Sequence, residues 1–128
     1  MEKIMKEALR YLNNAKEILK SVPIEGNFYT DKKPVREAFG TAYLAILESL
    51  NEALIRRGYS KKDLPKKIEE YKKALKKHFA VRNGKLIREF DILYESLHIE
   101  GYYRGGIYNV HAVKDYLKAT KDFIEKIR

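Results

Sequence analysis

The stretch Val35 to Gly58 limits this fold more than any other, because it is apolar around too much of its circumference to sit at an edge. Ala38/Phe39, Ala42, Ala45/Ile46, Leu50 and Ala53 recur at steps of three and four, the period of a helix lying on a core. Tyr43, Leu44 and Leu47 carry the apolar surface beyond that stripe, while Gly40, Ala42 and Ala45 are small enough for a neighbour to approach closely. Pro34 suits a first helical position, and Gly58, preceded by Arg56 and Arg57, suits the residue just past a helix end. A helix so widely apolar is either the middle of a bundle or half of a dimer interface, and a homodimer is expected on this ground.

Four further helical patterns accompany it. Met5, Ala8, Leu12, Ala15, Leu19 and Val22 mark a helix from Glu2 that Pro23 stops. Ile24 to Lys33 has no sustained period and reads as a loop, with Phe28 and Tyr29 folding back onto the bundle. Ser60 or Asp63 caps a third helix that runs from Leu64 to Phe79 with Pro65 in its first turn and Ile68, Tyr71, Leu75 and Phe79 facing inward. After the Asn83-Gly84 turn, Leu86, Phe90, Leu93 and Leu97 give a fourth helix ending around Gly101. Asn109 then caps a fifth, marked by Val113, Tyr116/Leu117, Thr120, Phe123/Ile124 and Ile127. The expectation is an all-α, antiparallel up-and-down bundle of four long helices plus a shorter one, one domain over residues 1–128.

The composition excludes several classes of chemistry. With no cysteine there are no disulfides, thiol nucleophiles or thiolate metal sites, and three histidines leave few ligands for zinc. Glu95 and His98 form a single Glu-x-x-His pair where a bundle di-metal site needs two, so neither a metal nor a cofactor is implied. The charged N-terminus lacks an apolar signal core, and no run approaches the roughly 20 apolar residues of a membrane span. A cytoplasmic protein is expected. Abundant Lys, Arg and Glu with no glutamine point to a thermophilic source. The formal charge of +9 attracts polyanions as readily as it solubilises. Its densest expression is the third helix, where Lys66 and Lys73 stand among eight lysines between Lys61 and Lys77, a face for phosphate or for water.

Between the last two helical patterns, Leu97 to His111 packs three tyrosines, two histidines, one arginine and three glycines into fifteen positions. Tyr102 and Tyr103 there offer faces for stacking bases or for sealing the end of the bundle. His98 follows Leu97 of the core stripe and reads as a half-buried histidine bonded to a backbone carbonyl. Arg104 caps the fourth helix's carbonyls in the plainest reading, and His111 falls in the first turn of the last helix, where free N–H groups favour a phosphate.

The chain resembles the HEPN superfamily of small helical bundles. Ala38-Phe39-Gly40-Thr41-Ala42-Tyr43-Leu44-Ala45-Ile46 through Arg57-Gly58 is similar to that superfamily's second helix. His98-Ile99-Glu100-Gly101-Tyr102-Tyr103, before a helix ending Phe123-Ile124, is similar to the turn before its last helix. The resemblance implies a dimer that is either a metal-independent endoribonuclease or a partner of a nucleotidyltransferase-like protein, as in toxin-antitoxin pairs. Arg104 and His111 enclose six residues and meet the catalytic Arg-x4–6-His spacing at its upper limit, with Gly105 where a polar residue is usual. Two functions therefore stand open. One is a binding module; the other is an endoribonuclease in which His111 transfers protons, Arg104 stabilises charge, and Lys66, Lys73, Tyr102 and Tyr103 hold RNA.

Overall fold

A computed structural model describes residues 2–79 and 84–127, with side chains placed from residue 7 onward. Helix α1 (Glu2–Lys20) leads to a two-stranded hairpin, β1 (Ile24–Glu25) and β2 (Phe28–Tyr29), and then to α2 (Lys32–Arg56). Short helices α3 (Ile68–Phe79) and α4 (Lys85–Leu93) follow, and α4 runs straight into a π-helical segment, Tyr94–Tyr103, before α5 (Val110–Ile127). The wide apolar arc of α2 is explained by its place in the middle: it packs against α1, the π segment and α5. Phe39, Ile46, Leu50 and Leu54 of α2 meet Leu12, Leu97, Phe123 and Ile124 in the fully buried core.

The hairpin replaces part of the expected loop. Gly26 takes φ +63 at its turn, a left-handed conformation that glycine adopts without a Cβ clash. The Tyr29 N–H donates to Tyr108 O at 2.9 Å and the Val110 N–H to Asn27 O at 2.9 Å, which ties the hairpin to the start of α5. Tyr29 folds back onto the bundle as expected and is buried, whereas Phe28 stays half exposed against the Tyr108 ring.

Among the described residues α1, α2 and α5 have 19, 25 and 18 residues, whereas α3 has 12 and α4 has 9 before it passes into the ten-residue π segment. Helix α2 starts two residues before Pro34 because Asp31 caps it, its carboxylate accepting from the Lys33 N–H. Gly58 does follow the helix end, at φ +101. Ser60 and Asp63 cap only a single 3-10 turn, Lys61–Asp63, with the Ser60 hydroxyl donating to Asp63 Oδ2 at 2.6 Å. Leu64 is extended (ψ 146°), as the ring of a following proline demands, so Pro65 lies outside α3. Asn109 caps α5 as expected, accepting from the Ala112 N–H at 3.0 Å; Asn83 of the expected turn lies outside the described residues.

The largest departure is the fourth helix, whose α period fails after Leu93. The Arg104 N–H donates to Ile99 O, five residues back, at 2.8 Å. Segments of this kind are rare and mostly one turn long, yet here it spans ten residues. The wider turn brings Gly101 down onto the Phe39 ring, where an added Cβ would stand inside the ring carbons. Leu93, Leu97 and Gly101 make the buried row of this element, and its backbone meets α2 directly at the last of them.

Gly101→Ala is expected to cost about 1–3 kcal/mol, the usual penalty for overpacking a filled site. Gly106→Ala, whose new methyl would meet nothing closer than 3.7 Å, serves as the control and should lie within about 0.5 kcal/mol of wild type. Urea midpoints by circular dichroism measure both, and equal midpoints would refute the close-contact explanation of the π segment.

Candidate functional site

The π segment lays a second row, Tyr94, His98 and Tyr102, beside α2. The His98 ring stacks on Tyr43 of α2 with centroids 4.7 Å apart and planes 27° from parallel. On its own element it lies 6.1 Å from the nearly parallel Tyr102 ring and 5.5 Å from Tyr94. His98 is half buried as expected, but these ring contacts hold it, and it makes no hydrogen bond to a carbonyl among the described residues. Burial pushes the Tyr43 hydroxyl well above its ordinary range, with the neighbouring Tyr94 and Tyr71 hydroxyls adding to the shift. Tyr43 therefore keeps its proton, and the cluster offers aromatic faces.

Tyr102 crosses α2 at Gly40, where a Cβ would fall 2.8 Å from its Cδ1. The crossing leaves a hollow of about 450 Å³ lined by Ile18, Glu37, Gly40, Thr41, Tyr43, Leu44, His98 and Tyr102. Leu44 (48% exposed) and Tyr102 (44%) stand at its rim, and Ile55 (42%) lies three turns along α2 on the same stripe. These are large apolar side chains in water beside an apolar hollow, a combination that marks contact surfaces on otherwise charged proteins.

One arginine fixes this geometry. Arg36 donates from Nε to Tyr102 O and from Nη2 to Tyr103 O, both at 2.8 Å, so its fork closes the carbonyl end of the π segment. Its methylene stem lies against Gly105, which holds φ +66. The capping expected of Arg104 thus belongs to Arg36, while Arg104 itself pairs with Glu100 at 2.7 Å on the surface. Nothing local marks Arg36 in the sequence: its partners are 66 and 67 residues away. Gly40, Tyr43 and Leu44 did carry a signal, as small or surplus apolar positions on α2.

The remaining sequence candidates fall in different places. His111 is exposed in the first turn of α5 and has no hydrogen-bond, ion-pair or ring partner among the described residues. Lys66 and Lys73 line one groove of about 390 Å³ with Tyr59, Lys62 and Lys77, though Asp63 and Glu70 line it too. The Glu70 carboxylate accepts from the Lys66 N–H at 2.6 Å, which holds it below its ordinary pKa. This groove sits near the C-terminal end of α2, where Tyr71 of α3 bonds Asn51, whereas Tyr102 crosses at Gly40 in the first half of that helix, and the two hollows share no lining residue. Within one chain the lysines and Tyr102 are therefore apart, and Tyr103, 69% exposed, stays on the side of Tyr102. Lys72 leaves the lysine face to pair with Asp91 of α4 at 3.3 Å.

A family model described as "Domain of unknown function (DUF5618)" matches residues 3–128. The chain belongs to the DUF5618 family. A solved structure, a protein of unknown function from Dyadobacter fermentans, is 31% identical and superposes with a TM-score of 0.78, covering 98% of this chain and 93% of that one. No curated protein matches. No described helix of this DUF5618 chain is long and apolar enough to cross a membrane.

Arg36→Ala should cost about 1–3 kcal/mol by removing two charge-assisted bonds to carbonyls, and should speed hydrogen exchange at the Arg104 amide, whose bond closes the π segment. Arg36→Lys supplies a point charge without the fork and should recover only part of the loss. Exchange rates at Arg104 that match wild type in Arg36→Ala would refute the capping role.

Proposed function

We propose that this DUF5618 chain works as a binding module, and that the face formed by α2 and the π segment is its contact surface, occupied by a second copy of the chain. The observation that carries this reading is the hollow over Gly40 with Leu44 and Tyr102 exposed at its rim. A two-fold contact places the same patch on both sides, so a surface that joins a hollow to an adjacent apolar projection is complementary to itself. Leu44 of one copy fits the hollow of the other, and Ile55, on the same stripe of α2, extends the contact. The HEPN likeness supports the same reading, since bundles of that superfamily are commonly dimeric. Light scattering at micromolar concentration is expected to report a dimer, and Leu44→Glu to shift it to monomer with an unchanged helical spectrum. A wild-type monomer at 100 µM would sink self-association; a stable one-to-one complex of that monomer with a nucleotidyltransferase-like protein would assign the face to a different partner.

A second reading, a metal-independent endoribonuclease, is favoured by one observation: His111 stands exposed and unpartnered in the first turn of α5, seven residues after Arg104. The Arg104–Glu100 pair is exposed on both sides, so a phosphate can displace Glu100 at a cost under about 1 kcal/mol. The reading expects RNA cleavage in EDTA that falls at least a hundredfold in His111→Ala and in Arg104→Ala. Intact RNA after prolonged incubation, or equal rates in the variants, would end it.

A further inference from the structure

A larger hollow lies on another side of the molecule, between the C-terminal turns of α1, the first half of α5 and the hairpin. Its volume is about 580 Å³, inside the range of about 300–1,000 Å³ typical of small-molecule sites. Leu19, Val22, Tyr29 and Leu117, all buried, form the floor, and Ile24, 54% exposed, makes one edge. Every other lining side chain is a lysine: Lys16 and Lys20 from α1, and Lys114, Lys118 and Lys121 from α5. No carboxylate lines it, in contrast to the groove on α3. Lys20 pairs with Glu17, but the other four ammonium groups have no ion-pair partner among the described residues.

Helical spacing produces this arrangement. Lys16 and Lys20 are one turn apart, as are Lys114, Lys118 and Lys121, so each set shares a face of its helix. Four ammonium groups without an ion-pair partner among the described residues repel each other around one opening, and an anion or salt relieves that repulsion. Lysine stems are apolar, so they lengthen the walls of the floor while their heads ring the mouth. The lining thus reads from floor to rim as hydrocarbon and then cation.

We propose that this hollow is a binding site for a single-chain amphiphilic anion, an acyl chain with an anionic head, its chain on Leu19, Val22, Tyr29 and Leu117 and its head among Lys16, Lys114, Lys118 and Lys121. A free phosphate or a nucleotide leaves the apolar floor unused, and a neutral lipid leaves the charges unused. A docked protein helix needs about 800 Å² on each side, far more than a floor of four side chains provides. Lysine heads, unlike an arginine fork, set no head-group geometry, so carboxylate and phosphate heads share the site.

The probe is dodecanoate below its micelle concentration, titrated calorimetrically into the whole chain. One-to-one binding is expected, tightening from octanoate to dodecanoate by up to about fourfold per added methylene, the factor for full burial. Glycerol monododecanoate, neutral with the same chain, should bind at least tenfold more weakly, and raised salt should weaken only the anion. Lys114→Glu/Lys118→Glu, at exposed positions, should lose at least tenfold with an unchanged helical spectrum, as should Ile24→Asp through the apolar edge. Lys66→Glu/Lys73→Glu makes the same charge change on α3 and should bind like wild type. Equal loss in the two double variants, no dependence on chain length, or several molecules bound per chain would overturn the site. Binding to anionic phospholipid vesicles that is lost in Lys114→Glu/Lys118→Glu, without dodecanoate binding, would also overturn it, by making the surface a bilayer contact.

Discussion

Gly101 lies against the Phe39 ring with no room for a methyl group between them, and the distinctive half of the molecule depends on that contact. It brings a backbone, not a side chain, to the surface of α2. Once the backbone is there, Tyr102 must cross at Gly40, and the carbonyls of Tyr102 and Tyr103 come within reach of Arg36. The same element is π-helical from Tyr94 to Tyr103, where i→i+5 bonding widens the turn while Leu93, Leu97 and Gly101 stay buried. The cost of poorer helical bonding is offset by burial of the Phe39 ring and by the arginine fork.

The consequence is a molecule with three unlike surfaces. The α2 and π-segment face is aromatic and aliphatic, with Glu37 the one carboxylate among the described residues lining its hollow. The α3 groove is basic but partly offset, since Glu70 and Asp63 stand among its four lysines. The hollow between α1 and α5 is basic without such an offset, over an apolar floor. A net charge of +9 is therefore not spread evenly, and its strongest unrelieved concentration is not in the lysine-dense stretch from Lys61 to Lys77. Lysine count along a sequence measures how much charge an element carries; only the placement of carboxylates decides how much of it remains uncompensated.

The sequence by itself determined the helices whose apolar residues hold a single period: α1, α2 and α5, with the stop after Arg57 and the Asn109 cap, all set by interactions within a few residues. It also marked α2 as central, because an apolar arc that wide has to be covered on several sides. Tertiary structure alone decided the rest. The period of Leu86, Phe90, Leu93 and Leu97 reads as α, and nothing in it announces a ten-residue π segment, because the cause is a ring on another helix more than sixty residues earlier. Arg36 bonds two carbonyls 66 and 67 residues away, which nothing near it in the chain announces, and Arg104, beside those carbonyls in sequence, pairs with Glu100 instead. The lysines of α1 and α5 are ordinary solvated residues in their own helices; they form a site only because the hairpin and the packing of α1 on α5 place both sets around one floor. Local spacing fixes which face of a helix a residue occupies, but which faces meet is settled by contacts between residues far apart in the chain.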